Sequence, residues 1–179
     1  MKITERIART LNFQPVDRLP MIEWFDWWDK TLKRWYSEGL DPNLTDAGQI
    51  RERLGLDSYR VFWANPKKQS CPERHAEGSG LIATMDDYLA LKSHLFPADC
   101  LDEIPQAGWF RQHLAGDMAV WFWVEGFFWF PRTLFGIEKH LYAFYDQPEL
   151  MHTINKDVLD FNIALIDKVC KVGTPVLFL

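Results

Sequence analysis

Apolar positions along this chain keep two rhythms, one of near-continuous short runs and one of spacings of three and four. The runs predict strands. Arg18 to Phe25 carries Leu19, Met21, Ile22, Trp24 and Phe25 and is opened by Pro20, a position where no ladder donor is yet needed. Tyr59-Arg60-Val61-Phe62-Trp63 is rich in β-formers and is closed by Asn65-Pro66. Met118 to Val124 is apolar throughout, and Pro175-Val176-Leu177-Phe178-Leu179 is an unbroken apolar run after Gly173.

The second rhythm predicts helices. Thr4 to Asn12 places Ile7, Ala8 and Leu11 on one face, with Thr4 as its cap and Pro15 beyond its end. Asp29 to Glu38 carries Leu32, Trp35 and Tyr36 and is stopped by Gly39. Asp46 to Leu54, Met85 to Leu95 and Arg132 to Tyr145 follow. A longer helix starts near Asp146, where Asp146-Gln147-Pro148-Glu149 supplies a capping carboxylate and a first-turn proline. Its stripe is Ile154, Val158, Phe161, Leu165 and Val169, and Lys168 and Lys171 suit its carboxyl end. Lys67 to Gly80 is polar and reads as a long loop, a kind of segment that often carries function. Ala98 to Gly116 has a mixed pattern that selects no element.

Strands alternating with helices predict an α/β fold on a parallel sheet. Strands apolar at every position are covered on both faces in such sheets, and chemistry gathers just past their carboxyl ends. The last run is followed by nothing, so the groups expected past a fourth strand lie outside the 179 residues.

Composition narrows the partners. A hydrophobic fraction of 47% supports a buried core and excludes a disordered chain. Nine Trp and thirteen Phe predict an aromatic-lined pocket or interface in addition to ordinary core rings. The net charge is −5 and the Lys and Arg form no stripe, which argues against nucleic acid. The longest apolar stretch, Met118 to Phe130, is broken by Glu125-Gly126 and is too short to span a bilayer, so no membrane partner is expected. Met1-Lys2-Ile3-Thr4-Glu5-Arg6 carries charges where a leader needs apolar residues, predicting a cytoplasmic protein. Cys71, Cys100 and Cys170 form no Cys-x-x-Cys pair and no even disulfide set. The five histidines make no His-x-x-x-His set, so no metal site is expected from this chain alone.

The order of blocks resembles a known family. Ile7-Ala8-Arg9-Thr10-Leu11-Asn12-Phe13-Gln14-Pro15-Val16-Asp17-Arg18-Leu19-Pro20 is similar to the opening of the uroporphyrinogen decarboxylase superfamily, where Leu-Asn-Phe is followed by Asp-Arg-x-Pro. Thr31 to Leu40, Gly126 to Glu138 and Tyr145 to Leu150 resemble later blocks of its less well characterised members. The resemblance implies a (β/α)8 TIM barrel, of which residues 1–179 would be one partial domain. That domain is the amino-terminal half, with about four parallel strands and their covering helices.

The resemblance also implies an activity: a cofactor-independent decarboxylase, a carbon–carbon lyase of porphyrin biosynthesis. The alternatives are a corrinoid-dependent methyltransferase-like protein of the same superfamily, or a non-catalytic half barrel that self-associates. The methyltransferases hold zinc through a His-x-Cys pair and a later Cys of the carboxyl-terminal half, so a full-length relative would carry zinc where this chain carries no cofactor. The chain alone is expected to be inactive, with either a second copy of itself or a carboxyl-terminal half as partner and a small molecule as substrate.

The decarboxylases bind substrate carboxylates through Arg-Gln-x-x-x-Arg after strand one and face the pyrroles with an Asp at the end of strand two. Here strand one is followed by Trp24-Phe25-Asp26-Trp27-Trp28-Asp29, with no arginine before Arg34, and strand two by Trp63-Ala64-Asn65-Pro66. An acidic, aromatic first loop repels a polycarboxylate, so the substrate is expected to differ from uroporphyrinogen. The strand ends then supply the candidates. Glu23, Asp26 and Glu125 are the acids for catalysis. Trp27, Trp63, Asn65, Trp129 and Arg132 are the groups for substrate binding. Glu125 lies in an apolar run and needs a partner, for which Arg132 or Arg111 is available, or a raised pKa.

Overall fold

A computed structural model describes residues 1–100, 102, 107–172 and 177–178 of the chain. These divide into two compact units that interleave in sequence. Of the described residues, the first contains 1–62, 107–122 and 177–178, and the second contains 63–100, 102 and 123–172.

In the first unit, helix α1 (Ile3–Leu11) buries Ile7 and packs with Ile3 against Ala119 and Trp121. Lys2, not Thr4, occupies its cap, because the Thr4 amide is engaged by the carbonyl of Gly116 at 3.3 Å. Helix α2 (Asp29–Ser37) stops where Gly39 adopts φ +113°, a left-handed turn that glycine takes without strain. Helix α3 (Ala47–Arg53) is capped by Asp46, whose carboxylate accepts the Gln49 amide at 3.0 Å.

Strand β1 (Tyr59–Trp63) and strand β2 (Ala119–Trp123) match two of the predicted runs. Helix α5 (Gly108–Leu114) lies in the stretch whose pattern selected no element. Strand β3 (Leu177–Phe178) falls in the last apolar run, and Gly173, Pro175, Val176 and Leu179 of that prediction lie outside the described residues. The sheet order is β1-β2-β3, with Trp121 beside Leu177 and Phe122 beside Phe178 in a parallel pair.

The first predicted strand is not one. Residues 18–25 run as irregular backbone in which Met21 exchanges its main-chain bonds with Asp57. The Asp57 amide donates to the Met21 carbonyl at 2.8 Å, and the Met21 amide donates to the Asp57 carboxylate at 2.9 Å. A side chain thus takes the place of the ladder. Pro20 lacks a donor of its own, which favours this arrangement.

The same carboxylate gathers charge. Arg18 grips it at 2.6 and 2.8 Å and Arg6 reaches it at 3.1 Å, while Arg6 also holds Asp17 at 2.8 and 2.9 Å. The adjacent Asp17 and Arg18 are therefore built into one ion-pair network. Burial opposes the charge of Asp57, but the Arg18 bonds, the Met21 amide and both guanidinium charges outweigh it and hold its pKa below the usual carboxylate range.

The second unit is helical. Helix α4 (Met85–Leu91) opens with a reciprocal capping box between Thr84 and Asp87 and runs into a 3₁₀ turn, Lys92–His94. The expected helix Arg132–Tyr145 is two helices, α6 (Trp129–Phe135) and α7 (Ile137–Asp146). Gly136 breaks it at φ +82°. Helix α8 (Pro148–Val172) buries Ile154, Val158, Leu165 and Val169 of the predicted stripe. One core joins these helices: Tyr88, Leu91 and Leu95 pack with Phe130, Leu134, Phe135, Leu150, Ile154 and Val158. The Tyr88 hydroxyl inside it donates to Asp157 at 2.6 Å, and Lys92 closes on the same carboxylate at 2.7 Å. The whole is a mixed α/β structure in which helix predominates and β2 and β3 run parallel.

Candidate functional site

The eight candidate residues fall into the two units. Glu23, Asp26 and Trp27 belong to the first, and Trp63, Asn65, Glu125, Trp129 and Arg132 to the second.

In the first unit Asp26 is not a free acid. Its carboxylate is ion-paired with Arg51, which is nearly buried while Asp26 stays exposed. The guanidinium of Arg51 lies 4.6 Å from the ring centre of Tyr59 and 5.7 Å from that of Trp27, and Trp27 packs at 5.1 Å on Trp35. Trp27 is half-buried by this contact. Glu23 is exposed. The group stabilises the irregular segment against α3 and β1, a cation–π arrangement that suits packing better than proton transfer. Arg51, its centre, carried no signal in the sequence beyond a charged run on a helix.

In the second unit Trp63 ends β1 and Glu125 follows β2 by two residues, so both stand at strand carboxyl ends. The indole Nε1 of Trp63 donates to the Glu125 carboxylate at 3.1 Å. Asn162, buried on α8, donates to the Glu125 carbonyl at 2.8 Å and fixes the backbone at that point. Glu125 is only 8% exposed. Burial pushes its pKa above the ordinary value, and the Trp63 bond, the Gly126 amide and the charge of Lys67 compensate only in part. The sequence offered arginine partners for this acid; the structure instead meets it with an indole, and Arg132 lies over the ring of Trp129 at 4.6 Å.

Asn65 is exposed, and its side chain accepts the Lys67 amide at 2.9 Å, which turns the chain as it leaves the strand. Trp63 and Trp129 are each about half exposed, as are Trp123, Phe127 and Phe128 in the same unit. An acid whose pKa is raised by burial, hydrogen-bonded to a half-exposed indole, can give a proton to, or take one from, a substrate at that ring.

Sequence reasoning missed two contributors, Asn162 and Lys67. Asn162 stands beside the apolar stripe of α8 and acts through a backbone carbonyl, which no spacing reveals. Lys67 opens a loop flagged for its length, and only the fold half-buries it. Among the described residues no group of three or more His, Cys, Asp or Glu is placed to hold a metal ion, and no helix is long and apolar enough to cross a membrane. The three cysteines are free. Comparison with protein-family models, with curated proteins and with solved structures gives no match.

Proposed function

We propose that the chain supplies the amino-terminal half of a (β/α)8 barrel of the uroporphyrinogen decarboxylase type, acting as a cofactor-independent carbon–carbon lyase on a flat substrate with few carboxylates. The observation that carries the reading is Glu125: a buried carboxyl at the carboxyl end of β2, hydrogen-bonded to the indole that ends β1. Loss of carbon dioxide leaves an electron pair on the substrate carbon, and an acid whose pKa burial raises holds its proton to higher pH than an exposed carboxyl and can deliver it to that carbon. Trp63 and Trp129 offer faces for stacking, and Arg132, the cation beside Trp129, suits a single carboxylate.

Porphobilinogen, a pyrrole acid, serves as the probe. Titrated into the purified chain, it should quench indole emission, and both Trp63→Phe and Glu125→Gln should weaken the effect. Emission that does not respond to the probe overturns the reading. Uroporphyrinogen should not be consumed by the chain; its turnover to coproporphyrinogen would contradict the assigned preference for a substrate with few carboxylates.

A further inference from the structure

The long polar loop lines an open cleft of about 490 Å³ within the second unit. Lys67, Lys68, Cys71, Arg74, Glu77 and Leu81 are among the residues that line it. The loop is pinned at both ends. Lys67 bridges to Leu95, the Lys68 amide donates to the His94 carbonyl at 2.9 Å, and the Phe96 amide donates to the Pro66 carbonyl at 2.6 Å. At the far end the amides of Leu81 and Ile137 reach Leu134 at 2.6 Å and Gly78 at 3.1 Å. The walls are thus held by main-chain bonds, and the side chains inside are presented by a fixed frame.

Lys67 is unusual among the lysines. It is half-buried, and among the described residues its ammonium hydrogen-bonds only the Thr133 carbonyl, at 3.4 Å. Among the described residues no carboxylate lies within ion-pair distance of it, whereas Lys33, Lys92, Lys156, Lys168 and Lys171 each have one. Arg74, exposed on the cleft wall, likewise pairs with no carboxylate among the described residues. A partly desolvated amine with no carboxylate within ion-pair distance, close to a second cation, is in an environment that favours a nucleophilic lysine.

We propose that Lys67 is a carbonyl-reactive amine, and that the cleft takes a small 2-oxo acid whose carboxylate is held by Arg74. The Lys67 nitrogen lone pair attacks the carbonyl carbon as the C=O π pair moves to oxygen. A proton moves from nitrogen to the oxyanion to give the carbinolamine, whose hydroxyl then takes up a proton from solvent. Water then departs with the C–O pair, leaving an iminium that loses its remaining N–H proton to become the imine. Amine and ketone are consumed and one water is released, with no oxidant or reductant. Burial lowers the Lys67 pKa most, the Cys71 and Glu125 charges oppose it and the Arg74 charge adds to it, so the net shift favours the free amine. The assignment does not rest on the decarboxylase reading, since imine formation requires only the cleft.

The test is reductive trapping. The purified chain is incubated at neutral pH with pyruvate and borohydride, digested, and mapped by peptide mass spectrometry. The expected result is a carboxyethyl adduct on Lys67 in excess over exposed Lys33 and Lys156, absent from Lys67→Arg and lost when the chain is unfolded in urea before labelling. Arg74→Gln should reduce trapping of pyruvate more than it reduces trapping of acetaldehyde, which has no carboxylate. Labelling spread evenly over the lysines, or none at all, overturns the proposal. Equal loss of both probes in Arg74→Gln overturns the carboxylate assignment. Because the wild-type distribution among lysines decides the main point, the result does not hang on any variant's folding.

Discussion

At the scale of single residues, charge is placed where the chain lacks regular structure. Asp57 is 3% exposed, yet it takes two guanidinium groups and a backbone amide, and so replaces a strand's ladder with one carboxylate. Removing one partner of a buried pair leaves the others uncompensated. Asp57→Ala should therefore cost about 3–5 kcal/mol, read as a fall in the urea midpoint. Asp57→Asn, which keeps one acceptor oxygen for the Met21 amide, should cost less. Equal midpoints for wild type and Asp57→Ala would show that the network contributes nothing. Asp57 was invisible in the sequence, because an acid after a short helix has no period. Glu125 was legible for the opposite reason: a lone carboxylate inside an apolar run must be buried and must find a partner. That the partner is an indole could not be read, since Trp63 lies 62 positions away.

At the scale of elements, periodicity located most helices and strands Tyr59–Trp63 and Met118–Val124, and it failed where one residue overrides a period. Residues 18–25 have strand-like composition, but Leu19, Met21 and Phe25 remain exposed, so no buried face enforces a register. Arg132 to Tyr145 has continuous helical spacing, and a single glycine divides it. Gly136 turns at φ +82° directly against the backbone of residues 78–80, where a Cβ would overlap the Gly78 carbonyl oxygen. Gly80 is enclosed from the other side: a Cβ there would overlap the carbonyl of Phe135. Neither obstacle is a side chain that can swing aside. Gly136→Ala and Gly80→Ala should each cost at least about 3 kcal/mol. Gly39→Ala, where the turn is left-handed but the space is open, should cost less. Thermal unfolding of the three variants checks the order; a Gly39 variant as damaged as the other two would mean that backbone conformation, not contact, sets the cost.

At the scale of the whole molecule, the α/β class was legible from the alternation of runs and helices, whereas the division into two interleaved units was not, because each strand's pattern is local and a unit is a sum of distant contacts. Both units nonetheless share one solvent pH, and two buried groups set opposing slopes of stability. Burial raises the Glu125 pKa, so the folded state holds this proton more tightly than the unfolded one. Its contribution is full below the ordinary carboxyl value and is lost as pH rises through the raised one. His140 is the reverse. Its ring is fully buried against Phe128 and Phe144, both nitrogens lack a partner among the described residues, and burial, aided by the charge of Arg132, lowers its pKa. Its contribution is present above the ordinary imidazole value and is lost as pH falls through the lowered one. Between these ranges, acidification favours the fold through Glu125 and opposes it through His140. Glu125→Gln should therefore steepen the loss of stability on acidification, while raising stability at neutral pH. His140→Leu should invert the slope, so that stability rises as pH falls until Asp17 and Asp57, both held low by their arginines, take up protons. Urea midpoints measured from neutral pH into the acid range test the pair together, and parallel profiles for wild type and both variants would mean that neither group is buried as the structure has it.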